Sequence, residues 1–219
     1  MTTSSAAPSS PPLSAAERAY RLTKAKILSG EVPGGRLLAE GDIAAELGIS
    51  RTPVHEAFLR LDTEGLLAVA PRRGAAVVPM APDEARDVLE MREAVERSTA
   101  RRALAHGRPA EAVIEELRAH VERQRAASTQ GDVDAFAEAD SAFHGVLVRA
   151  SRNQTAVQFM GLLRDRQLRL MYQHLHVGPE EVATALAEHE AMLAAVEQGD
   201  ADAYCDLLHD HVRRHRGIL

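Results

Sequence analysis

The segment that most constrains the fold is GISRTPVHEAFLRLDTEGLL, residues 48–67, which follows a short helical pattern ending at Gly48. Glycine readily adopts the left-handed conformation with which many helices end, so a tight turn is expected there. A second helix then begins near Ser50 or Thr52, either of which can cap it, and Pro53 suits its first turn. A short helix, a turn and a second helix with polar residues at its start form a helix-turn-helix, whose second helix lies in a DNA groove.

The second helix, which we expect to end at Gly65, has one apolar face and one polar face. Apolar residues recur along it at intervals of three and four, which anchors that face in a core. The apolar positions are Val54, Phe58 and Leu61, whereas Arg51, Thr52 and His55 point elsewhere.

Two short apolar segments follow this helix, at residues 66–70 and 75–79. The turn between them, residues 71–74, contains Arg72 and Arg73. The pattern predicts a β hairpin with a basic tip. In a winged protein such a tip reaches backbone phosphate or the minor groove.

Residues 14–80 contain a set of motifs made up of Arg36, SRTPV at 50–54, Glu56-Ala57, Leu61, EGLL at 64–67 and Gly74. Through these motifs this part of the chain resembles the GntR family of winged helix-turn-helix regulators. It implies DNA contacts from Arg36, Arg51, Thr52 and Gly74. His55 stands where the family has the arginine of its PVREA run, and a neutral imidazole cannot make the bidentate guanine contact of a guanidinium. If His55 approaches phosphate or guanine, DNA affinity is expected to rise as the pH falls through about 6.5.

Length and charge favour two domains with different roles. A chain of 219 residues suits two domains of ordinary size, and its scarcity of aromatics, 3%, favours helix packed on helix. Residues 1–80 carry nine Arg and Lys against eight Asp and Glu, a net charge of +1, and the remainder carries 17 against 24, or −7. The acidity therefore lies outside the DNA-binding half, where it discourages contact with phosphate. Charge alone equally describes two solvated surfaces.

The N-terminal segment, the lack of a long apolar run and the cysteine content predict a cytoplasmic protein. Residues 1–13 are small, polar and rich in proline, without the features of a signal peptide, and we interpret them as a disordered tail. No run of about 18 apolar residues occurs, so no membrane association is expected. The single Cys205 fits a reducing compartment.

Nearly everything outside the hairpin has helical periodicity. Ser14 and Glu17 form a capping box that opens the first helix, which Gly30 ends. Beyond Pro79, breaks predict six helices with short connections, which favours an antiparallel bundle. The breaks lie at 107–109, 131–132, 151–153, 177–179 and 199–200. The predicted fold is mainly α, with a winged helix-turn-helix domain and its small β wing at 14–80 and an antiparallel all-α bundle at 83–219.

Three helices of the bundle each carry metal-competent side chains on an apolar stripe. Asp140 and His144 are four residues apart, so they share a face with Phe143, while His189 and His211 lie on two later helices. An ionised carboxylate there costs several kcal/mol unless it is paired or bound to metal. Imidazole and carboxylate ligands suit zinc first, with nickel, iron or manganese as alternatives, and open positions could hold a small acid. Each histidine is also compatible with an ordinary hydrogen-bonded core position.

The predicted bundle contains the motifs EMREAVE at 90–96, DSAFH at 140–144, EHEAMLAAVEQGDADA at 188–203 and the later His211. Through these motifs it resembles the FCD ligand domain of FadR-like GntR regulators over roughly residues 83–219. Many members bind a divalent metal through an Asp, the His four residues later and two further His. These positions match Asp140, His144, His189 and His211. Such members sense small organic acids through the metal and nearby arginines.

Several arginines and histidines are secondary candidates. Arg92 lies on an apolar stripe, where its guanidinium could bind an effector carboxylate or form an internal salt bridge with Glu96. Arg164 and Arg169 are further effector-binding candidates that would equally suit a surface. His215 is an alternative ligand to His211, His209 should face elsewhere, and His174 and His176 lie near a loop.

The favoured function is a ligand-responsive transcription regulator that binds a two-fold DNA operator as a homodimer. Its two recognition helices would meet successive major grooves about 34 Å apart, and a small organic acid would release the repressor. One alternative is a metal-dependent enzyme acting on a small acid, although His189-Glu190 only begins like HExxH, since Leu193 occupies the second histidine position. A second alternative is a constitutive DNA-binding protein whose bundle serves only assembly.

Overall fold

The computed structural model describes residues 13–70, 74–175 and 178–216. Most of the predicted disordered tail and the predicted basic tip with Arg72 and Arg73 lie outside the described residues. The chain divides into two compact units. The described part of Met1–Ile27 and Val32–Pro79 form unit 1, and Leu28–Glu31 with the described part of Met80–Leu219 form unit 2.

Unit 1 contains three helices and a small sheet. The Glu17 backbone N–H donates to Ser14 Oγ over 3.1 Å, as a capped helix start requires. The predicted side-chain cap at the start of the third helix is wrong, because Ser50 occupies the N-cap position without a side-chain hydrogen bond. The helices are α1 Ala15–Leu28, α2 Glu40–Leu47 and α3 Arg51–Thr63.

Three antiparallel strands make the sheet, which has the order β1-β3-β2. The predicted hairpin forms from β2, Leu67–Ala70, and β3, Gly74–Val77, with Val69 opposite Ala75. The sequence did not indicate β1, Leu37–Leu38, because two residues carry no measurable alternation. This strand pairs with β3 and completes the wing sheet.

Unit 2 is the predicted six-helix bundle in its described part, and the helices change at the predicted breaks. Within the described part, four of the five consecutive helix pairs pack against each other, as in antiparallel bundles, and the first helix packs against the last one. No helix within the described ranges has both the length and the apolar character that crossing a membrane requires. The helices are α4 Pro82–Ala103, α5 Glu111–Gln130, α6 Val133–Ala150, α7 Gln154–Leu175, α8 Pro179–Gln198 and α9 Ala201–Arg216.

All six helices of unit 2 contribute to its core, α7 through Leu170. Phe143, Leu147, Met192 and Leu208 are among its fully buried apolar side chains. Buried among them are charged and polar groups that an apolar core would otherwise exclude. These polar groups form the candidate site described next.

Candidate functional site

The helix α3 is held by its apolar face and presents its polar face to solvent. Val54, Phe58 and Leu61 are each 0% exposed, which fixes the rotation of the helix. Arg51, Thr52 and His55 are exposed at its N-terminal end. This is the orientation that base reading requires, since residues at the start of a recognition helix contact base edges.

A network between α1 and the C-terminal end of α3 holds this helix in place. The Tyr20 hydroxyl donates to Glu64 Oε1 over 2.8 Å, and Lys24 Nζ donates to Glu64 Oε2 over 2.9 Å. The Arg60 guanidinium carbon lies 3.5 Å from the centre of the Tyr20 ring. Burial opposes ionisation of Glu64, yet the hydrogen bonds from Lys24 and Tyr20 lower its pKa below the ordinary value.

The remaining predicted DNA-binding residues lie beside the sheet of unit 1. Arg36 is exposed and immediately precedes β1, and its carbonyl accepts a hydrogen bond from the Val77 N–H over 2.9 Å. Gly74 opens β3 with a φ of +83°, and a Cβ there would lie 2.6 Å from the Leu38 carbonyl oxygen. Gly74 therefore permits a close approach of β1 and β3 that no other residue allows.

The structure brings the four predicted metal ligands into one buried cluster. Asp140 and His144 come from α6, His189 from α8 and His211 from α9. One ligand atom from each lies within 4.8 Å of the others. His144 Nε2 and His189 Nε2 are 3.1 Å apart, and His189 Nε2 lies 3.3 Å from Asp140 Oδ1.

Each imidazole in the cluster makes a hydrogen bond through its Nδ1 to a side-chain oxygen. The acceptors are Glu96 Oε2 at 2.7 Å from His144, Gln124 Oε1 at 2.6 Å from His189 and Glu188 Oε2 at 2.7 Å from His211. Since carboxylate and amide oxygens only accept, each Nδ1 carries the hydrogen and donates it. In a neutral ring the Nε2 lone pair then faces the centre of the cluster, as in metal-binding histidines.

Of the two buried carboxylates at the cluster, Glu96 is paired with Arg92, whereas one oxygen of Asp140 has no hydrogen-bond partner among the described residues. The Arg92 Nε–H donates to Glu96 Oε1 over 2.7 Å, and both side chains are buried. Burial opposes ionisation of Glu96, but His144 and Arg92 lower its pKa below the ordinary value. Burial raises the pKa of Asp140, whose Oδ2 accepts no hydrogen bond from the described residues.

These groups fit a bound divalent cation. Converging Nε2 lone pairs and a carboxylate repel one another without a positive charge between them. The 3.1 and 3.3 Å separations are short enough for one ion to contact both atoms of each pair at about 2.0–2.2 Å, the distance of zinc ligands, and all four ligand atoms lie within 4.8 Å of one another. Three imidazoles and one carboxylate are a donor set for zinc or a neighbouring transition metal.

The secondary candidates occupy different places. Arg92 forms the internal ion pair with Glu96, and its Nη2 makes no hydrogen bond to the described residues. Arg164 lies at the surface, where it pairs with Glu138 over 3.1 Å, so the structure does not bring it to the four-ligand cluster. Arg169 is buried on α7, and His209 turns to Glu93 at 2.7 Å. The side chains of His174, His176 and His215 lie outside the described part.

Sequence reasoning missed the three acceptors behind the imidazoles. Gln124 left a signal, because it interrupts the apolar stripe of Leu117 and Val121 on α5 with a buried amide. Glu188 directly precedes a predicted ligand, whereas Glu96 entered only as a possible partner of Arg92. Spacing along the sequence cannot show the role of these acceptors, because Glu96 and Gln124 lie on helices that carry no predicted ligand, and Glu188 directly precedes a ligand in the sequence.

Comparison with known proteins covers both units. Residues 15–77 match the gntR family of bacterial regulatory proteins, and residues 87–214 match the FCD domain. An HTH-type transcriptional regulator in an unstable DNA locus of Streptomyces ambofaciens is 34% identical over 198 residues, covering 89% of this chain and 80% of its own. The HTH-type transcriptional repressor RspR of Escherichia coli (strain K12) is 28% identical, with 90% and 85% covered. The solved structure of E. coli McbR/YncC shares the fold with a TM-score of 0.77 at 21% identity, covering 94% of this chain and 97% of that chain.

Proposed function

We infer that this chain, which belongs to the GntR family of bacterial regulatory proteins and carries an FCD domain, senses a small organic acid through a metal ion. As a member of that family it is a DNA-binding transcriptional regulator and not an enzyme. We assign it to the FadR-like group of that family, acting in the cytoplasm as a homodimeric repressor. The alternative to the sensing half of this proposal is a constitutive DNA-binding protein whose bundle serves only assembly.

The observation that supports the proposal is that three imidazoles, each hydrogen-bonded through Nδ1, and one buried carboxylate converge on the same point. Asp140, His144, His189 and His211 would hold the ion, and we propose zinc before nickel, iron or manganese. A bound divalent ion supplies positive charge and open coordination positions for a carboxylate ligand. A bundle that served only assembly has no need of such a cluster, since apolar residues of similar volume pack at lower cost.

Arg92 is our candidate for the second contact of the effector. Its Nε is committed to Glu96, while its buried Nη2 has hydrogens without an acceptor among the described residues. An unsatisfied buried donor costs about 1–3 kcal/mol, which a carboxylate oxygen would recover. An organic acid that engages Arg92 as well as the metal would bind one state of the bundle preferentially and so shift its population. The predicted role of Arg164 is not favoured, because that side chain is exposed and paired with Glu138.

Unit 1 would carry out the DNA binding that the effector controls. We propose Arg36, Arg51, Thr52 and His55 as the groups that contact DNA, with Gly74 shaping the wing. In a homodimer two copies of α3 would enter successive major grooves about 34 Å apart, which matches an operator with two-fold symmetry. Effector binding would then change the spacing between the two helices.

Metal analysis and DNA binding together test the proposal. The full-length protein should hold about one divalent ion per chain. A panel of small mono- and dicarboxylic acids should include one that weakens operator binding by the metal-loaded protein. His189→Ala should lose both the ion and the acid response. The matched control is His209→Ala, which removes a half-exposed histidine outside the cluster and should keep both. A protein without stoichiometric metal, or DNA affinity that ignores every acid, would contradict the sensing half and support a purely structural bundle.

A further inference from the structure

His55 is an exposed residue of the recognition helix with a fixed partner outside that helix. It lies one turn after Arg51, so the two side chains share the exposed face of α3. Half of its side-chain surface, 51%, is accessible. Its Nδ1 lies 2.7 Å from Oε1 of Glu40, the first residue of α2.

The carboxylate of Glu40 determines which ring nitrogen of His55 carries hydrogen. An ionised carboxylate has no hydrogen to donate, so Nδ1 must be the donor in this contact. In a neutral imidazole the other nitrogen, Nε2, is then an acceptor. The helix-turn-helix therefore presents a hydrogen-bond acceptor at a position where an arginine would present only donors.

Acceptors and donors read different bases in the major groove. The groups that donate there are the exocyclic amino groups, N6 of adenine and N4 of cytosine. Guanine presents only N7 and O6, which are acceptors that an arginine contacts bidentately. A neutral His55 with its hydrogen on Nδ1 is consequently mismatched to guanine.

We propose that Glu40 is a positioning residue that fixes the tautomer of His55, and that His55 thereby selects a base with an exocyclic amino group in each half-site. This inference rests on the proposed DNA interface. It assigns a role to Glu40, which lies beside the recognition helix and would otherwise only add negative charge near phosphate. Arg51, whose guanidinium lies against Gly41 at the start of α2, remains the donor of the same face.

Selection from DNA libraries with randomised half-sites tests this at about pH 8, where an ordinary imidazole is neutral. The natural protein should enrich adenine or cytosine at one position of each half-site about fivefold or more over guanine, the discrimination of one hydrogen bond. With His55→Arg the same position should change to guanine. With His55→Ala the preference there should disappear while the other positions persist.

Glu40→Gln tests the tautomer directly. Its amide can donate to Nδ1 as well as accept from it, so both tautomers become available and the preference should fall while the fold is kept. The matched control is Glu46→Gln on the same helix, because Glu46 pairs with Lys26 and not with His55. That variant should select the same bases as the natural protein.

The outcomes separate this inference from the proposed function. A two-fold consensus in which no position responds to His55→Arg leaves the regulator intact and overturns the role of His55. Guanine selected by the natural protein at the responsive position, or an unchanged preference in Glu40→Gln, overturns the tautomer assignment. Failure of the natural protein to enrich any two-fold site contradicts the proposed function itself.

Discussion

Gln124→Leu is the perturbation that most directly tests whether the groups behind the imidazoles prepare a metal site. Gln124 is 0% exposed on α5, and its Oε1 accepts the Nδ1 hydrogen of His189 over 2.6 Å. Leucine has a similar volume and fills the position, but it cannot accept that hydrogen. His189 can then rotate or change tautomer, so its Nε2 is no longer held toward Asp140 and His144.

The magnitude follows from what such partners contribute in other metal sites. Loss of an outer hydrogen-bond partner weakens metal affinity about 10–100-fold, which is about 1.4–2.7 kcal/mol at 25 °C. At saturating metal, the stabilisation of the folded protein by the ion falls by the same amount. For a unit of this size about 1 kcal/mol corresponds to about 3–4 °C, so the metal-induced rise in Tm should be smaller by about 4–11 °C.

The assay measures metal affinity by competition with a chromophoric chelator, and the Tm of the metal-free and metal-loaded forms. The difference between the two Tm values is the relevant quantity. The variant removes the Gln124 acceptor of His189 Nδ1, and it also removes a buried Gln124 Nε2 that lacks a described partner, so the metal-free Tm can move either way. Gln124→Glu keeps an acceptor and should retain the affinity, and Gln130→Leu at the exposed end of α5 should change nothing. Affinity unchanged in Gln124→Leu would refute the reasoning.

Three further outcomes are expected. Gly74→Ala places a Cβ 2.6 Å from the Leu38 carbonyl oxygen at a φ of +83° and so distorts the sheet of unit 1. It should weaken DNA binding at least tenfold and leave the metal content unchanged. A DNA titration that shows retained affinity contradicts this. Glu64→Gln should lower the free energy of unfolding near neutral pH, because the pKa of Glu64 is lowered in the folded state, and the deficit should shrink as the pH falls below about 4. A deficit independent of pH in denaturant titrations argues against it. Arg92→Lys keeps a positive charge beside Glu96 but loses the planar fork, so metal should stay bound while the acid concentration that releases DNA rises about tenfold or more; an unchanged release curve excludes the proposed contact.

Local sequence patterns determine much of unit 1 and its candidate DNA-contacting face. The spacing of Val54, Phe58 and Leu61 fixes which side of α3 is buried, and Gly48 takes the left-handed conformation with a φ of +63°. The prediction of a side-chain cap at the start of α3 was wrong, because side-chain capping depends on the rotamer as well as on the residue type. The strand β1 could not be predicted, since its pairing with β3 is a tertiary contact.

The candidate metal site shows where sequence reasoning stops. Helical spacing places Asp140 and His144 on one apolar face, but spacing cannot show which side chains of other helices lie opposite. The partners of the imidazoles therefore became visible only in three dimensions. The two readings of Arg92 are both compatible with the structure, because one nitrogen binds Glu96 and another remains available.

The three imidazoles come from different helices, since His144 and His189 are 45 positions apart and His211 lies on α9. An ion held by all three would act as a removable cross-link that joins the C-terminal helix to the middle of the bundle. Because closing such long loops restricts the unfolded chain most, the ion would favour folding as well as signalling. The supply of metal would then set how long each copy of the regulator survives proteolysis, independently of the acid that we propose it detects.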